Sequence, residues 1–277
     1  MICTLVLLAL SAQPLLEGDP TQKAWSVLQQ AIDGKNSGNR ASAIHALGVI
    51  TNNTRAQRLA ENALSDGSAA VRVEAASALA QMKATSARAK LRQALNDKEV
   101  KVVIAAANAL YTLKDPSAYQ VYYALLTGKR KGSEGLVQSQ LDTLRDRKQL
   151  EMLMLETGIG FIPFGGVGLD AWKVVTRDDA SAVQASAAEK LASDPDPKSG
   201  QALAECNSDK KWRIRAAVAN SIAKRGDPAL LDGVIPLLLD DNDIVRYEAA
   251  AAVIRLEAFK RARAKGVHLI SSGALAR

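Results

Sequence analysis

The chain is 277 residues long, which allows one or two globular domains. Alanine supplies 49 residues and the aromatic residues only 11, a composition typical of closely packed helices. The apolar content of 48% excludes a disordered chain, and no apolar run reaches the ~18 to 20 residues that a membrane-spanning helix needs. Two cysteines exclude a disulfide-rich or cysteine-rich zinc fold, and the net charge of +7 raises the question of an anionic partner.

The first 18 residues have the pattern of a secretory signal peptide. An apolar stretch from Ile2 to Leu10 is followed by small and polar residues, with Ala12 at the expected cleavage site. No Lys or Arg precedes this stretch, so the alternative is an apolar first helix in a cytoplasmic protein. The pattern favours an exported protein, periplasmic or secreted, whose mature chain is expected to have no transmembrane anchor.

From residue 40 onward the chain repeats a fixed frame. Each full copy has an aspartate, an anchor residue six positions later, a small residue three after the anchor and an aliphatic residue seven after it. Three of the four spacings between successive anchors are 31 residues, and an internal repeat of this length is typical of a solenoid. The five full copies are Asp66, Arg72, Ala75, Leu79; Asp97, Val103, Ala106, Leu110; Asp178, Gln184, Ala187, Leu191; Asp209, Arg215, Val218, Ile222; and Asp240, Arg246, Ala249, Val253. A sixth copy, with Arg40 as its anchor, lacks the acid.

Each repeat contains two segments of about ten to fifteen residues with helical apolar periodicity, and no segment alternates as a strand does. The sequence therefore predicts an all-α fold, an α-α superhelix of stacked helical hairpins. The predicted units are a signal peptide at 1–18, three repeats at 22–116, an irregular helical segment with a Gly-rich loop at 117–168, three repeats at 169–265 and a flexible tail at 266–277. In this prediction the Gly-rich loop joins the two blocks of three repeats.

A 31-residue hairpin with Asp66, Val71, Arg72, Ala75 and Leu79 resembles the HEAT repeat, specifically the short HEAT-like units of the phycobilisome-lyase type. The resemblance covers residues 22–116 and 169–258. It implies an armadillo-like α-solenoid. Proteins of this kind are mostly interaction scaffolds, while some resemble bilin lyases and others resemble DNA glycosylases, so the fold alone does not decide the function.

The aspartate and an arginine anchor occur together in three copies, as Asp66 with Arg72, Asp209 with Arg215 and Asp240 with Arg246. The resemblance implies a ladder in which such acids and bases link neighbouring repeats. A guanidinium binds a carboxylate through two parallel hydrogen bonds, so the row is expected to fix the rotation of one hairpin on the next. The alternative is a row of arginines that binds an anionic ligand.

The stretch from Gly158 to Gly168 holds five glycines among apolar residues. It lacks the preceding strand and the Lys-Ser or Lys-Thr pair of a phosphate-binding loop. We predict a loop whose Phe161 and Phe164 either pack against neighbouring hairpins or contact a partner. Further candidate partner-binding residues lie on the predicted helices: Glu74, Asn108 and Tyr247.

The remaining polar residues form no catalytic pattern. His45 and His268 are isolated, and Cys206 is predicted to be a small buried hydrophobe. Basic clusters at 129–131, 145–148 and 260–265 have acids in or beside them and no interleaved aromatic residue, which favours solvated helix faces over a nucleic-acid site. No cofactor and no metal are expected.

The sequence thus favours a non-catalytic, monomeric protein–protein interaction scaffold that binds an unidentified protein on its inner helical surface. The first alternative is an enzyme or lyase subunit similar to the bilin lyases. The second is a binder of DNA or another anionic polymer, resembling the HEAT-like DNA glycosylases.

Overall fold

A computed structural model of the protein describes residues 18–127 and 181–266. Within these two ranges the chain forms α-helices and short 3₁₀ turns without strands, which confirms the predicted all-α fold. In the first range the helices are α1 (Pro20–Ile32), α2 (Ser37–Leu47), α3 (Thr54–Ala63), α4 (Ala69–Gln81), α5 (Arg88–Ala94), α6 (Val100–Thr112) and α7 (Ala118–Thr127). In the second they are α8 (Ser181–Ser193), α9 (Pro197–Glu205), α10 (Trp212–Arg225), α11 (Leu231–Val234) and α12 (Asp243–Ala264).

Short polar side chains determine where several of these helices begin. The Oδ1 atoms of Asn36, Asn53 and Asn242 each accept hydrogen bonds from two backbone amides in the first turns of α2, α3 and α12. Asp19 and Asp196 each precede a proline that occupies the first position of a helix, where its missing N–H costs nothing. Capping residues therefore mark the starts of several helices of the hairpins.

Six helices pack side by side and form what we call the inner row, in the order α8, α10, α12, α2, α4, α6. The small residues of the repeat frame make this packing close, since Ala75, Ala106 and Ala249 have no exposed surface. The aliphatic residues seven after the anchor, such as Leu79 and Leu110, are also fully buried. One continuous hydrophobic core runs along the row, and the other helices flank it.

The order of the inner row differs from the order of the sequence, because α12 lies directly beside α2. We call this junction the seam. In two repeats the inner-row helix ends early, and the chain turns twelve residues after its anchor, at Asp115 and at Asp227. By contrast, α12 continues for eighteen residues after its anchor Arg246 and packs against α1. Near the end of α12, Arg261 Nη2 donates to Thr21 Oγ1 of α1 at 3.1 Å.

The two blocks of repeats therefore meet through the N-terminal and C-terminal helices. The helices that flank the segment 128–180, α7 and α8, lie at opposite ends of the row. The predicted Gly-rich junction and the predicted signal peptide lie outside the described residues, apart from Gly18. Sequence reasoning placed the contact between the blocks only at that junction and missed the seam. None of the helices in the described ranges is long and apolar enough to cross a membrane.

Candidate functional site

The anchor arginines clamp each repeat to the next one. Arg72 donates from Nε and Nη2 to the two carboxylate oxygens of Asp97 at 2.7 and 2.8 Å, and Arg215 binds Asp240 with the same two distances. Arg40 binds Asp66 in the same way, at 2.9 Å for each bond. In each clamp the acid follows its arginine by 25 or 26 residues in the sequence, so the clamp joins neighbouring repeats.

The six-residue spacing seen in the sequence corresponds to a different contact. Arg72 Nη1 donates to the backbone oxygen of Asp66 at 2.8 Å, and Arg215 Nη1 donates to that of Asp209 at 2.8 Å. The arginine thus holds the loop of its own repeat with one nitrogen and the acid of the next repeat with two others. An anionic ligand would have to displace these carboxylates to reach Arg72 or Arg215.

The clamps of Arg40 and Arg215 favour the charged form of their acids. The bond from Arg40 lowers the pKa of Asp66. Burial would raise the pKa of Asp240, but the hydrogen bonds from Arg215, from the backbone amide of Asn242 and from Asp241 together outweigh burial, so the pKa lies below its ordinary value. The carboxylates of Asp66 and Asp240 also accept hydrogen bonds from the backbone amides of Ser68 and Asn242, which lie two residues later in the sequence.

The ladder is interrupted at two junctions of the inner row. Asp209 lies where a clamp acid is expected, but the anchor 25 residues before it is Gln184. At the seam the repeat of α2 has no acid, and Arg246 pairs with Asp243 of its own helix. Asn39 Nδ2 of α2 donates to the same Asp243 carboxylate at 3.0 Å, so a side-chain amide replaces the clamp there.

Buried and partly buried polar side chains lie on both sides of the seam. His45 Nδ1 of α2 lies 2.8 Å from Glu74 Oε2 of α4, and Asn220 Nδ2 of α10 donates to Glu248 Oε2 of α12 at 2.7 Å. Glu74 is 5% exposed and Glu248 3%. We call His45, Glu74, Asn220 and Glu248 the seam cluster. It spans four successive helices of the inner row.

The charges of the seam cluster depend on one another. Burial would lower the pKa of His45, but the carboxylate of Glu74, helped by that of Glu248, raises it to about 9. Burial raises the pKa of Glu248, and the nearby His45 only partly offsets that effect. At neutral pH His45 is therefore a cation close to two buried glutamates.

A buried arginine joins the two blocks at the other end of α2. Arg255 Nη1 of α12 donates to the backbone oxygen of Val49 and, at 2.7 Å, to Thr51 Oγ1. Arg255 is 3% exposed, and burial lowers its pKa to about 10. It remains a cation at neutral pH and holds the turn that follows α2.

Four of the five tyrosines in the sequence lie close together on α6 and α7 and form what we call the tyrosine cluster: Tyr111, Tyr119, Tyr122 and Tyr123. The rings of Tyr111 and Tyr122 meet edge to face at 5.8 Å, and Tyr122 donates its hydroxyl to Asn108 Oδ1 at 2.6 Å. Tyr111 is nevertheless 69% exposed and Tyr119 58%. These are large aromatic side chains held in place at the protein surface.

The structure places the predicted partner-binding residues in different environments. Asn108 supports the tyrosine cluster, whereas Glu74 and Tyr247 are each 5% exposed, so their burial disfavours a direct contact with a partner. Phe161 and Phe164 lie outside the described residues. Whether any of these residues binds a partner stays a prediction.

The structure corrects the prediction for Cys206 and reveals two residues that the sequence analysis did not single out. Cys206 is exposed, because the frame position that is apolar in other repeats lies here at the start of a 3₁₀ turn. Sequence reasoning also missed Arg255 and Tyr111. A lone arginine in an Ala-rich helix and a Leu-Tyr pair at a helix end resemble ordinary surface residues until the neighbouring helices are known.

In the described ranges, no group of three histidine, cysteine or acidic side chains is arranged to hold a metal ion.

Among solved structures, human deoxyhypusine hydroxylase in complex with glycerol is 17% identical to this chain, with 86% of this chain and 97% of that chain covered and a TM-score of 0.33. An engineered protein is 15% identical, with coverages of 87% and 98% and a TM-score of 0.27. No curated protein matches the chain.

The family model for HEAT repeats matches residues 58–132 and 169–254, more than half of the chain. These ranges include the Arg72 and Arg215 clamps and the inner-row helices α4, α6, α10 and part of α12. The finer resemblance to the phycobilisome-lyase type stays a prediction. The repeat frame, the stacked hairpins and the matching family model together show that this chain belongs to the HEAT-repeat family.

Proposed function

We propose that the protein is a non-catalytic scaffold that binds a protein partner on its inner row, at the end formed by α4, α6 and α7. The observation that carries the proposal is Tyr111, which lies on an inner-row helix, is 69% exposed and is held by the ring of Tyr122. Tyrosine is enriched at protein interfaces, where a rigid aromatic ring contributes a large contact area.

The polar groups elsewhere on the inner row support a structural role for that region. His45 and Glu74 are bonded to each other, and Arg72 and Arg215 are held by acids of the next repeat. These side chains stabilise the stack and are not presented to a substrate. The exposed Gln81 and Thr112 lie near Tyr111 in the repeat frame and extend the polar rim of the surface that we propose.

Photocrosslinking in the native host tests this proposal. A photoreactive amino acid replaces Tyr111 in one variant and the exposed Asn62 of the flanking helix α3 in the matched control. We expect one discrete protein adduct from position 111 and none from position 62, and we expect Tyr111→Ala to abolish co-purification of that protein. Adducts that are absent from both positions, or identical at both, would contradict the proposal. Adducts to nucleic acid from position 111 would favour the anionic-polymer alternative.

We further propose that the chain is exported, on the basis of the apolar stretch from Ile2 to Leu10 and the small residues after it. The expected mature protein begins between Gln13 and Thr21. Intact-mass measurement on protein from the native host checks this. Retention of Met1 would place the protein in the cytoplasm instead.

A further inference from the structure

The seam is the one junction of the described inner row whose two helices come from different blocks, since α12 belongs to the second range and α2 to the first. Its specific contacts join residues that are more than 200 positions apart in the sequence, as with Asn39 and Asp243 or Thr51 and Arg255. Opening the seam together with the neighbouring contact between α1 and α12 would separate the blocks while the clamps inside each block stay closed.

The seam cluster places an unusual set of charges at this junction. His45 contributes the cation and is bonded to Glu74 within the same block, while Glu248 on the adjacent helix α12 of the other block lies near enough to act on its charge. Glu74 and Glu248 are almost fully buried, so water screens their repulsion poorly. Removing the proton from His45 would leave the buried Glu74 and Glu248, on opposite sides of the seam, without the cation that acts on both.

The other charged groups around His45 do not replace its charge. Lys224 of α10 lies near enough to act on His45, but its ammonium is 3.0 Å from Glu189 of α8. Arg255 of α12 lies at the opposite end of α2, where it binds Val49 and Thr51. Asn220 is uncharged and already donates to Glu248.

We propose that the seam is a proton-dependent closure, in which protonated His45 holds Glu74 of one block against Glu248 of the other, and loss of that proton separates the two blocks. His45 and Glu248 give the effect the same sign. The pKa of His45 is higher in the folded protein than its ordinary value, so the stabilisation is complete below pH ~6.5 and is lost as the pH rises through about 9. The pKa of Glu248 is also raised, so its ionisation opposes closure as the pH rises.

The distance between the blocks reports closure directly. Cys206 is exposed on the second block and accepts one spin label, and Asn62→Cys on α3 of the first block accepts the other, in a Cys3→Ser background. Pulsed electron-electron distance measurement is carried out on the full chain at pH 6.5 and at pH 9.5. We expect one short distance at pH 6.5 and a second, longer population at pH 9.5, with the helical circular dichroism unchanged.

Substitutions in the seam cluster test whether the opening at pH 9.5 arises from these residues. Glu248→Gln keeps the shape of the side chain and its contact with Asn220 but removes the opposing charge, so the longer population at pH 9.5 should fall at least threefold. His45→Gln should be open at both pH values, and the double variant His45→Gln, Glu248→Gln should be closed at both. Lys260→Gln on the exposed end of α12 is the matched control and should behave as the native chain does.

Two results would overturn the proposal. One is a native distance distribution that is the same at pH 6.5 and pH 9.5. The other is an alkaline opening that persists unchanged in Glu248→Gln and in the double variant, which would assign the pH dependence to groups outside the seam cluster. Should His45→Gln fail to fold, Glu248→Gln and the double variant still decide between these outcomes.

Discussion

The junction between α10 and α12 and the seam between α12 and α2 both join neighbouring helices of the inner row, but they use different polar contacts. At the first junction Arg215 clamps Asp240, with 13% and 6% of the two side chains exposed. At the seam Arg246 occupies the same frame position but pairs with Asp243 of its own helix, with 30% and 42% exposed. An ordinary junction is thus held by a sheltered clamp, whereas the seam depends on Asn39, Arg255 and the seam cluster.

The largest difference between the junctions is expected from removing the anchor arginine. Arg215→Ala leaves the carboxylate of Asp240 sheltered and unpaired, so the free energy of unfolding should fall by ~3 kcal/mol. Arg246→Ala removes a more exposed pair and should cost about 1 kcal/mol. Urea denaturation of both variants measures the difference, and Lys260→Ala, at ~0.5 kcal/mol or less, is the surface control. Equal losses for Arg215→Ala and Arg246→Ala would show that the two junctions do not differ in this way.

This difference also explains what the sequence could predict. The clamp joins residues 25 or 26 positions apart, within one repeat period, and the resemblance to HEAT repeats implied such a ladder between neighbours. The seam joins Thr51 to Arg255 and Asn39 to Asp243, across 204 positions in each case, and no periodic pattern connects those residues. The burial of Glu74 and Tyr247 follows from neighbouring helices in the same way, so it too was invisible in the sequence.

The second prediction weakens the seam itself. Arg255→Ala removes the donor that holds the backbone oxygen of Val49 and the hydroxyl of Thr51, and the free energy of unfolding should fall by ~2 kcal/mol. Because the block contact is lost first, the thermal transition should broaden or split into two. Differential scanning calorimetry measures both effects. Lys260→Ala is the control, since its side chain is 61% exposed and pairs within α12, and it should leave a single transition with nearly the native midpoint. A sharp native-like transition in Arg255→Ala would mean that Arg255 does not hold the blocks together.

A smaller effect is expected when the order of the chain is changed to match the order of the inner row. A circular permutant that starts at residue 151, links Gly266 to Gly18 with a short Gly-Ser linker and ends at residue 150 makes the seam local in sequence. Arg261 already contacts Thr21, so the two linked ends lie close together. We expect native helicity and a free energy of unfolding within ~1 kcal/mol of the native chain, because every clamp and every seam contact is retained. Circular dichroism and urea denaturation check this. Failure of the permutant to fold would contradict the continuous stack that the seam implies.

The smallest effect concerns the junction between α8 and α10, where the clamp acid is present and its arginine is missing. Asp209 accepts a backbone amide from Lys211 at 2.8 Å, as the clamped Asp66 does from Ser68, so its carboxylate is already oriented like that of a clamp acid. Gln184 is exposed at the anchor position 25 residues earlier, and Arg40, Arg72 and Arg215 show the geometry that an arginine adopts there.

We therefore expect Gln184→Arg to raise the free energy of unfolding by ~0.5 to 1 kcal/mol, because a two-bond guanidinium contact at this partly sheltered site gains more than an exposed pair does. Gln184→Lys introduces the same charge without the planar fork and should gain less than half as much. In an Asp209→Asn background the gain from Gln184→Arg should disappear, since the neutral amide cannot accept both bonds. A gain of the same size in all three comparisons would reflect general charge or helix propensity, and the anchor position would then contribute to stability only where the repeats already carry arginine.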